Sequence, residues 1–159
     1  MEKFCLKSIL INILVFMSLQ SFSQGQKFAF VEGLGSGVLV NLNFDMRMNK
    51  ESREGFGFKV GIGNTSIYLD ENVTTLPLGI NYIFGKQKSG LLLGANATVA
   101  FGDSEDYDEI KHFVPSLEIG YRFRPISKGF AFQVTYNPIF NTVDGFKPLW
   151  FGVGLGYSW

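Results

Sequence analysis

Thiol chemistry is almost missing from this chain. Its single cysteine, Cys5, precedes an apolar run near the N-terminus, and no cysteine follows. Disulfides, thiolate metal sites and cysteine nucleophiles are therefore excluded from everything after that run. Proline is scarce, with five residues, and charged residues are only 18% of the chain. The formal net charge is zero, so no electrostatic footprint points to a nucleic-acid partner. After Met17 no apolar run approaches the roughly 20 residues of a spanning helix. What the sequence has in quantity is glycine, 19 residues, and phenylalanine, 17 residues. A chain rich in both and poor in charge suits closely spaced strands that face something apolar. A disordered chain would lack the aromatics.

The N-terminal segment reads as an address. Glu2, Lys3 and Lys7 form a short region of net positive charge, followed by the apolar run Ser8 to Met17. The run is too short to span a bilayer as a helix. Ser21 and Ser23 are small residues at the −3 and −1 positions of a cleavage site, which predicts a signal peptide over 1–23 and a mature chain over 24–159. Cys5 lies ahead of the run, in the wrong place for lipoprotein processing.

The mature chain alternates with period two, the signature of strands with two unlike faces. In Val38 to Met48, Val40, Leu42, Phe44 and Met46 face one way, and Asn41, Asn43, Asp45 and Arg47 the other. Gly55 to Gly63 sets Phe56, Phe58, Val60 and Ile62 against Lys59 and three glycines. The pattern recurs around Leu76–Phe84, Leu91–Phe101, Pro115–Arg124, Phe130–Asn137 and Leu149–Trp159. An eighth strand, Lys27 to Gly35, has an ambiguous phase. If Glu32 shares the polar face, Phe28 and Phe30 do too, unless a bulge near Gly33 intervenes. Spanning strands take about 9–11 residues, and eight of them leave about 7–9 residues per connection. Ten would leave too few for the long polar segments present. Connections alternate: short and charged at Asn49–Gly55, Gly85–Gly90 and Pro125–Gly129, mostly longer at Asn64–Thr75, Gly102–His112 and Asn141–Lys147. Such asymmetry is expected of outer-membrane barrels, with short periplasmic turns and longer outer loops. The tight connection around Gly35–Gly37 is the exception.

Threaded up and down, the apolar face sorts by height. Phe56, Tyr82, Phe84, Tyr121, Phe130 and Trp159 collect at the periplasmic end, and Phe101, Phe113, Phe140 and Phe151 at the outer end, around an aliphatic middle. Two aromatic girdles about an aliphatic band match a bilayer. No charge in the seven phased strands falls on that face. A midplane Arg or Lys there would cost about 2–4 kcal/mol. The polar face is therefore expected to be the lumen. There Asp45, Arg47, Lys59, Glu118, Arg122 and Arg124, with Glu32 as a further member, are expected to form a salt-bridged network. Eight strands leave room only for side chains.

The terminal residues Gly154, Tyr157 and Trp159 resemble the C-terminal assembly signal of outer-membrane proteins, which implies recognition by the barrel-assembly machinery. More widely, Leu76–Gly79, Gly120–Phe123, the run Val31–Met48 and the terminal Trp150–Trp159 resemble small outer-membrane β-barrel proteins of the Bacteroidetes. The resemblance implies an eight-stranded antiparallel up-and-down transmembrane β-barrel in the cell outer membrane, surrounded by lipid. It transfers no activity.

Other constellations are weaker. Asp103, Glu105, Asp106, Asp108 and Glu109 are five carboxylates in seven residues. Their spacing lacks the central Gly and distal Glu of an EF-hand, so a solvated acidic loop is expected and no metal site. His112, Ser116 and Glu118 could serve a lipid-modifying hydrolase only if they met as base, nucleophile and orienter. The glycines of Gly33–Gly37 lack the Lys of a phosphate loop. The sequence thus predicts a monomeric, non-enzymatic membrane barrel without cofactor. A lipid-modifying enzyme, a soluble lipocalin-like periplasmic binder and a narrow channel are the alternatives.

Overall fold

The computed structural model describes residues 25–37, 39–49, 52–64, 72–104, 107–141 and 145–159; at 72, 103–104, 107–112 and 141 the description stops at the backbone. The predicted signal peptide lies outside these residues. Ten strand segments follow in order: β1 Lys27–Leu34, β2 Val40–Arg47, β3 Gly55–Asn64, β4 Asn72–Phe84, β5 Ser89–Ser104, β6 Tyr107–Phe123, β7 Gly129–Tyr136, β8 Ile139–Asn141, β9 Gly145–Lys147 and β10 Phe151–Ser158. A 3-10 turn, Gly35–Gly37, joins β1 to β2.

Each of β1 to β6 pairs antiparallel with its successor. β10 pairs with both β7 and β1, which closes the ring. Within the ring, closure removes the edges that would leave backbone N–H and C=O groups without partners. The ring has eight spans, because β8 and β9 are outward continuations of β7 and β10. Pro138 and Pro148 lie at the two interruptions, where a missing N–H breaks the ladder. Asn137 N–H still donates to the Trp150 carbonyl across this gap, at 2.7 Å.

Two features differ from the sequence expectation. First, the acidic segment is mostly a paired hairpin. β5 runs to Ser104 and β6 starts at Tyr107, with Gly102 opposite Ile110 and a register shift before Ser104 meets Tyr107. Ladder bonds hold such a hairpin without apolar alternation, so an apolar pattern could not reveal it. Likewise β4 already begins at Asn72. Second, β1 needs no bulge. Its pairing with β2 and β10 is continuous, so Phe28, Phe30 and Glu32 all point inward.

The polarity is inverted relative to a soluble domain. Leu42, Val60, Ile80, Leu117, Val153 and Leu155 lie outside and exposed. Asn41, Asn43, Asp45, Lys59, Glu118 and Gln133 lie inside and buried. Rings at the short-turn end touch around the wall: Phe56–Tyr82 at 4.9 Å, Tyr82–Phe84 at 4.5 Å and Phe123–Phe132 at 5.4 Å between centroids.

Inside the ring, long side chains lie opposite glycines. Asn41 is paired with Gly63, Asn43 with Gly61, Arg47 with Gly57, Glu118 with Gly94, Arg122 with Gly90 and Phe30 with Gly156. A Cβ on Gly57 would strike the Arg47 guanidinium, and one on Gly156 would strike the Ala29 carbonyl oxygen. By contrast, a Cβ on Gly33 meets nothing within 4 Å. Overpacking of this kind costs about 1–3 kcal/mol. Gly156→Ala should therefore lower the urea midpoint of the folded barrel or abolish its compact gel band. Gly33→Ala should leave both unchanged.

Candidate functional site

The most built part of the molecule is its interior, which forms layers from the short-turn end to the long-loop end. At the base, two arginines tie the turns together. Arg53, in the β2–β3 turn, donates to the carbonyls of Ile126 at 2.5 Å, Pro125 at 2.5 Å and Arg124 at 3.1 Å. Partial burial pulls the pKa of Arg53 below its ordinary value. Arg124 donates back to the Arg53 carbonyl, to Gly85 O at 2.5 Å and to Gln26 Oε1 at 3.2 Å. Three turns and the start of β1 are thus stitched into a floor.

Above the floor, Asp45 gathers two cations. The Arg122 guanidinium reaches Oδ1 at 3.0 Å and Oδ2 at 3.2 Å. Arg47 donates to Oδ1 of the same carboxylate and to Asn81 Oδ1. Asn81 Nδ2 donates to Asp45 Oδ2 at 2.6 Å. Beneath Arg122 lie the rings of Phe28 and Phe30, stacked at 4.3 Å, with the guanidinium carbon 5.1 Å and 5.9 Å from their centroids. A cation over an aromatic face is attracted by the ring quadrupole. Two phenylalanines can therefore stand among charges without leaving a void.

Arg122 Nε donates to Gln133 Oε1 at 2.9 Å, and Gln133 Nε2 donates to Glu32 Oε1 at 3.1 Å. Glu32 also accepts from Asn43 Nδ2 at 3.1 Å. A separate pair lies alongside: Lys59 Nζ donates to both oxygens of Glu118, at 2.9 Å and 3.0 Å, and both side chains have 0% exposure. At the far mouth the 3-10 turn folds inward, with Gly35, Ser36 and Gly37 all buried. Two consecutive left-handed residues open it: Leu34 at φ 60°, just before the turn, and Gly35 at φ 72°, its first residue. Side chains of β5, β4 and the segment before β10 hold it: Thr98 Oγ1 donates to Ser36 O at 2.6 Å, Thr75 Oγ1 to Gly37 O at 3.1 Å, and Trp150 Nε1 to Gly35 O at 2.9 Å.

Asp45, Arg47, Lys59, Glu118 and Arg122 thus meet in ion pairs. Arg124, expected among them, does not. Its guanidinium lies below the carboxylates and is spent on main-chain oxygens. Glu32 is held by amides and no cation contacts it closely among the described residues. The sequence reading gave no network role to Gln133, Asn81 or Arg53, and left open whether Phe28 and Phe30 turn inward. The one signal for the phenylalanines was the unbroken alternation from Phe28 to Glu32, which only needed the facing glycines of β10. Gly154 is interior, opposite both Glu32 and Gln133, whereas Tyr157 and Trp159 point outward at the base.

Ser116 is buried, and no hydrogen-bond partner of its Oγ lies among the described residues. Its neighbour Glu118 is committed to Lys59. His112 pairs with Ala100 through the ladder, four residues from Ser116, which is about 13 Å along a strand. The side chain of His112 and the acidic residues Asp103, Glu105, Asp106, Asp108 and Glu109 lie outside the described residues. Among the described residues no cluster of three metal-ligating side chains occurs.

Neither the family models nor the curated proteins contain a match to this sequence. Among solved structures, the N-terminal β-barrel domain of Pseudomonas aeruginosa OprF is similar, with a TM-score of 0.62 at 10% identity, over 86% of this chain and 98% of that one. The likeness is one of fold: a closed eight-stranded antiparallel barrel of the outer-membrane type.

Removing one partner of a buried ion pair costs about 3–5 kcal/mol, whereas replacing both by apolar residues is often close to neutral. Lys59→Met should therefore destabilise the barrel by about that amount in a urea titration. Adding Glu118→Leu to it should recover most of the loss.

Proposed function

We propose that this chain is an integral barrel of a bacterial outer membrane, related to the small barrels of the Bacteroidetes, with a filled interior and no catalytic role. One observation carries the reading: a continuous apolar outer wall encloses buried, mutually paired charges. Such a wall in water would be a very large exposed apolar surface, whereas lipid makes it favourable. A lipocalin-like binder would need an apolar cavity, and here the inside is occupied by Arg47, Asp45, Arg122, Lys59 and Glu118.

The chain is exported through its signal peptide, and Gly154, Tyr157 and Trp159 present it to the barrel-assembly machinery. It works as a monomer in a structural role or through its outer loops. The Arg53–Arg124 floor and the inward 3-10 turn stop both mouths, which argues against a channel. Ser116 Oγ has no partner among the described residues, and Glu118 is held by Lys59, which argues against a lipid hydrolase.

Fractionation of cells should place the protein in the outer membrane. An unboiled sample should migrate apart from a boiled one on a gel. Planar bilayers holding it should show no unitary conductance steps. Recovery in the soluble fraction would overturn the membrane reading, and regular conductance steps would overturn the filled interior.

A further inference from the structure

The short-turn end of the barrel is basic. Lys86 and Lys88 in the β4–β5 turn and Lys128 in the β6–β7 turn are exposed, the side chain of Lys86 by 78%. Lys27 and Arg53 stand half-buried beside them. Glu54 is the one acidic side chain among the described residues of this end, 3.7 Å from Lys86. The segments that join strands at the opposite end are acidic in sequence, with Asp70, Glu71 and the five carboxylates from Asp103 to Glu109.

The position of these lysines along the wall matters as much as their sign. Lys86 follows the outward Phe84 by two residues, and Lys128 precedes the outward Phe130 by two. Both lysines lie in the turns, and two residues of chain reach at most about 7 Å. The polar layer beyond the hydrocarbon is about 5–7 Å thick on each side of a bilayer. With the aromatic belt at the interface, where such rings settle, the ammonium groups lie within reach of lipid phosphates. They are spread over separate turns around the rim, which suits several small anions better than one extended acidic chain.

We propose that this basic rim binds anionic phospholipid headgroups of the leaflet at the short-turn end, so that the barrel selects its own annular lipid. The proposal rests on the membrane reading above.

Trp159, outward and half-exposed at the same rim, supplies a probe. In a Trp150→Phe background it is the remaining tryptophan. The barrel is reconstituted into mixed phosphatidylcholine and phosphatidylglycerol vesicles in which one lipid at a time is brominated. Brominated phosphatidylglycerol should quench Trp159 as though enriched at least roughly fivefold over its mole fraction, the scale that one lysine contributes near an anionic surface. Lys86→Gln/Lys88→Gln/Lys128→Gln should bring the enrichment to parity. So should about 1 M salt, where the Debye length is about 3 Å. Lys86→Arg/Lys88→Arg/Lys128→Arg should keep it. Native mass spectrometry of lipid retained by the unsubstituted chain gives the same readout without touching Trp150.

Equal quenching by both lipids, with the unboiled gel band intact, would overturn the rim proposal and leave the membrane barrel standing. Equal quenching with salt-sensitive binding of soluble polyglutamate would overturn it in favour of an acidic protein partner. A chain that enters neither vesicle would remove the membrane reading and the rim with it.

Discussion

The narrowness of an eight-stranded ring is the constraint on which the rest of this molecule depends. Closure satisfies the backbone, but it leaves an interior only wide enough for side chains. A long side chain that leans into so narrow a ring needs a neighbouring strand position without a Cβ. Glycine therefore stands beside the long inward residues: Gly57 leaves space for Arg47, Gly61 for Asn43, Gly63 for Asn41, and Gly154 and Gly156 for Phe30. The high glycine content is a packing requirement of the polar interior, not a sign of a flexible chain.

Charge follows from the same constraint. With no room for bulk water, an inward charge is held by a partner: Asp45 takes two guanidiniums, and Glu118 takes one ammonium. Amide side chains fill the remaining valences, so that Asp45, Arg122, Gln133 and Glu32 form one connected path. Water would leave the apolar wall uncovered, and removing a partner would leave a charge uncompensated. Fold and environment are therefore specified by one arrangement.

The faces of β2 to β7 and β10 were legible in the sequence, because period two survives wherever one face meets apolar surroundings and the other does not. Phe28 and Phe30 resisted that reading: they are apolar yet inward, and only the cation of Arg122 and the bare wall at Gly154 and Gly156 make room for them. The membership of Asp45, Arg47, Lys59, Glu118 and Arg122 in the interior was legible from sign and phase. Who pairs with whom was not, since it depends on strand stagger around the ring. Arg124 shows the limit. Its phase is inward, but its height puts it below the carboxylates, among turn carbonyls. The paired acidic hairpin was hidden for a different reason: backbone bonds extend its strands without any apolar pattern.

The account stands or falls on lipid contact around the whole wall. Single cysteines can replace Leu42, Val60, Ile80, Leu117 and Val153, outward residues on five different strands, in a chain whose one native cysteine, Cys5, is changed to serine. Each cysteine is spin-labelled and the protein is reconstituted into vesicles. The measurement is the collision rate of each label with oxygen, which partitions into hydrocarbon, and with a water-soluble nickel chelate. All five positions should collide with oxygen and be shielded from nickel. Frequent nickel collisions at these positions would mean that the apolar wall faces water, and would contradict the membrane barrel.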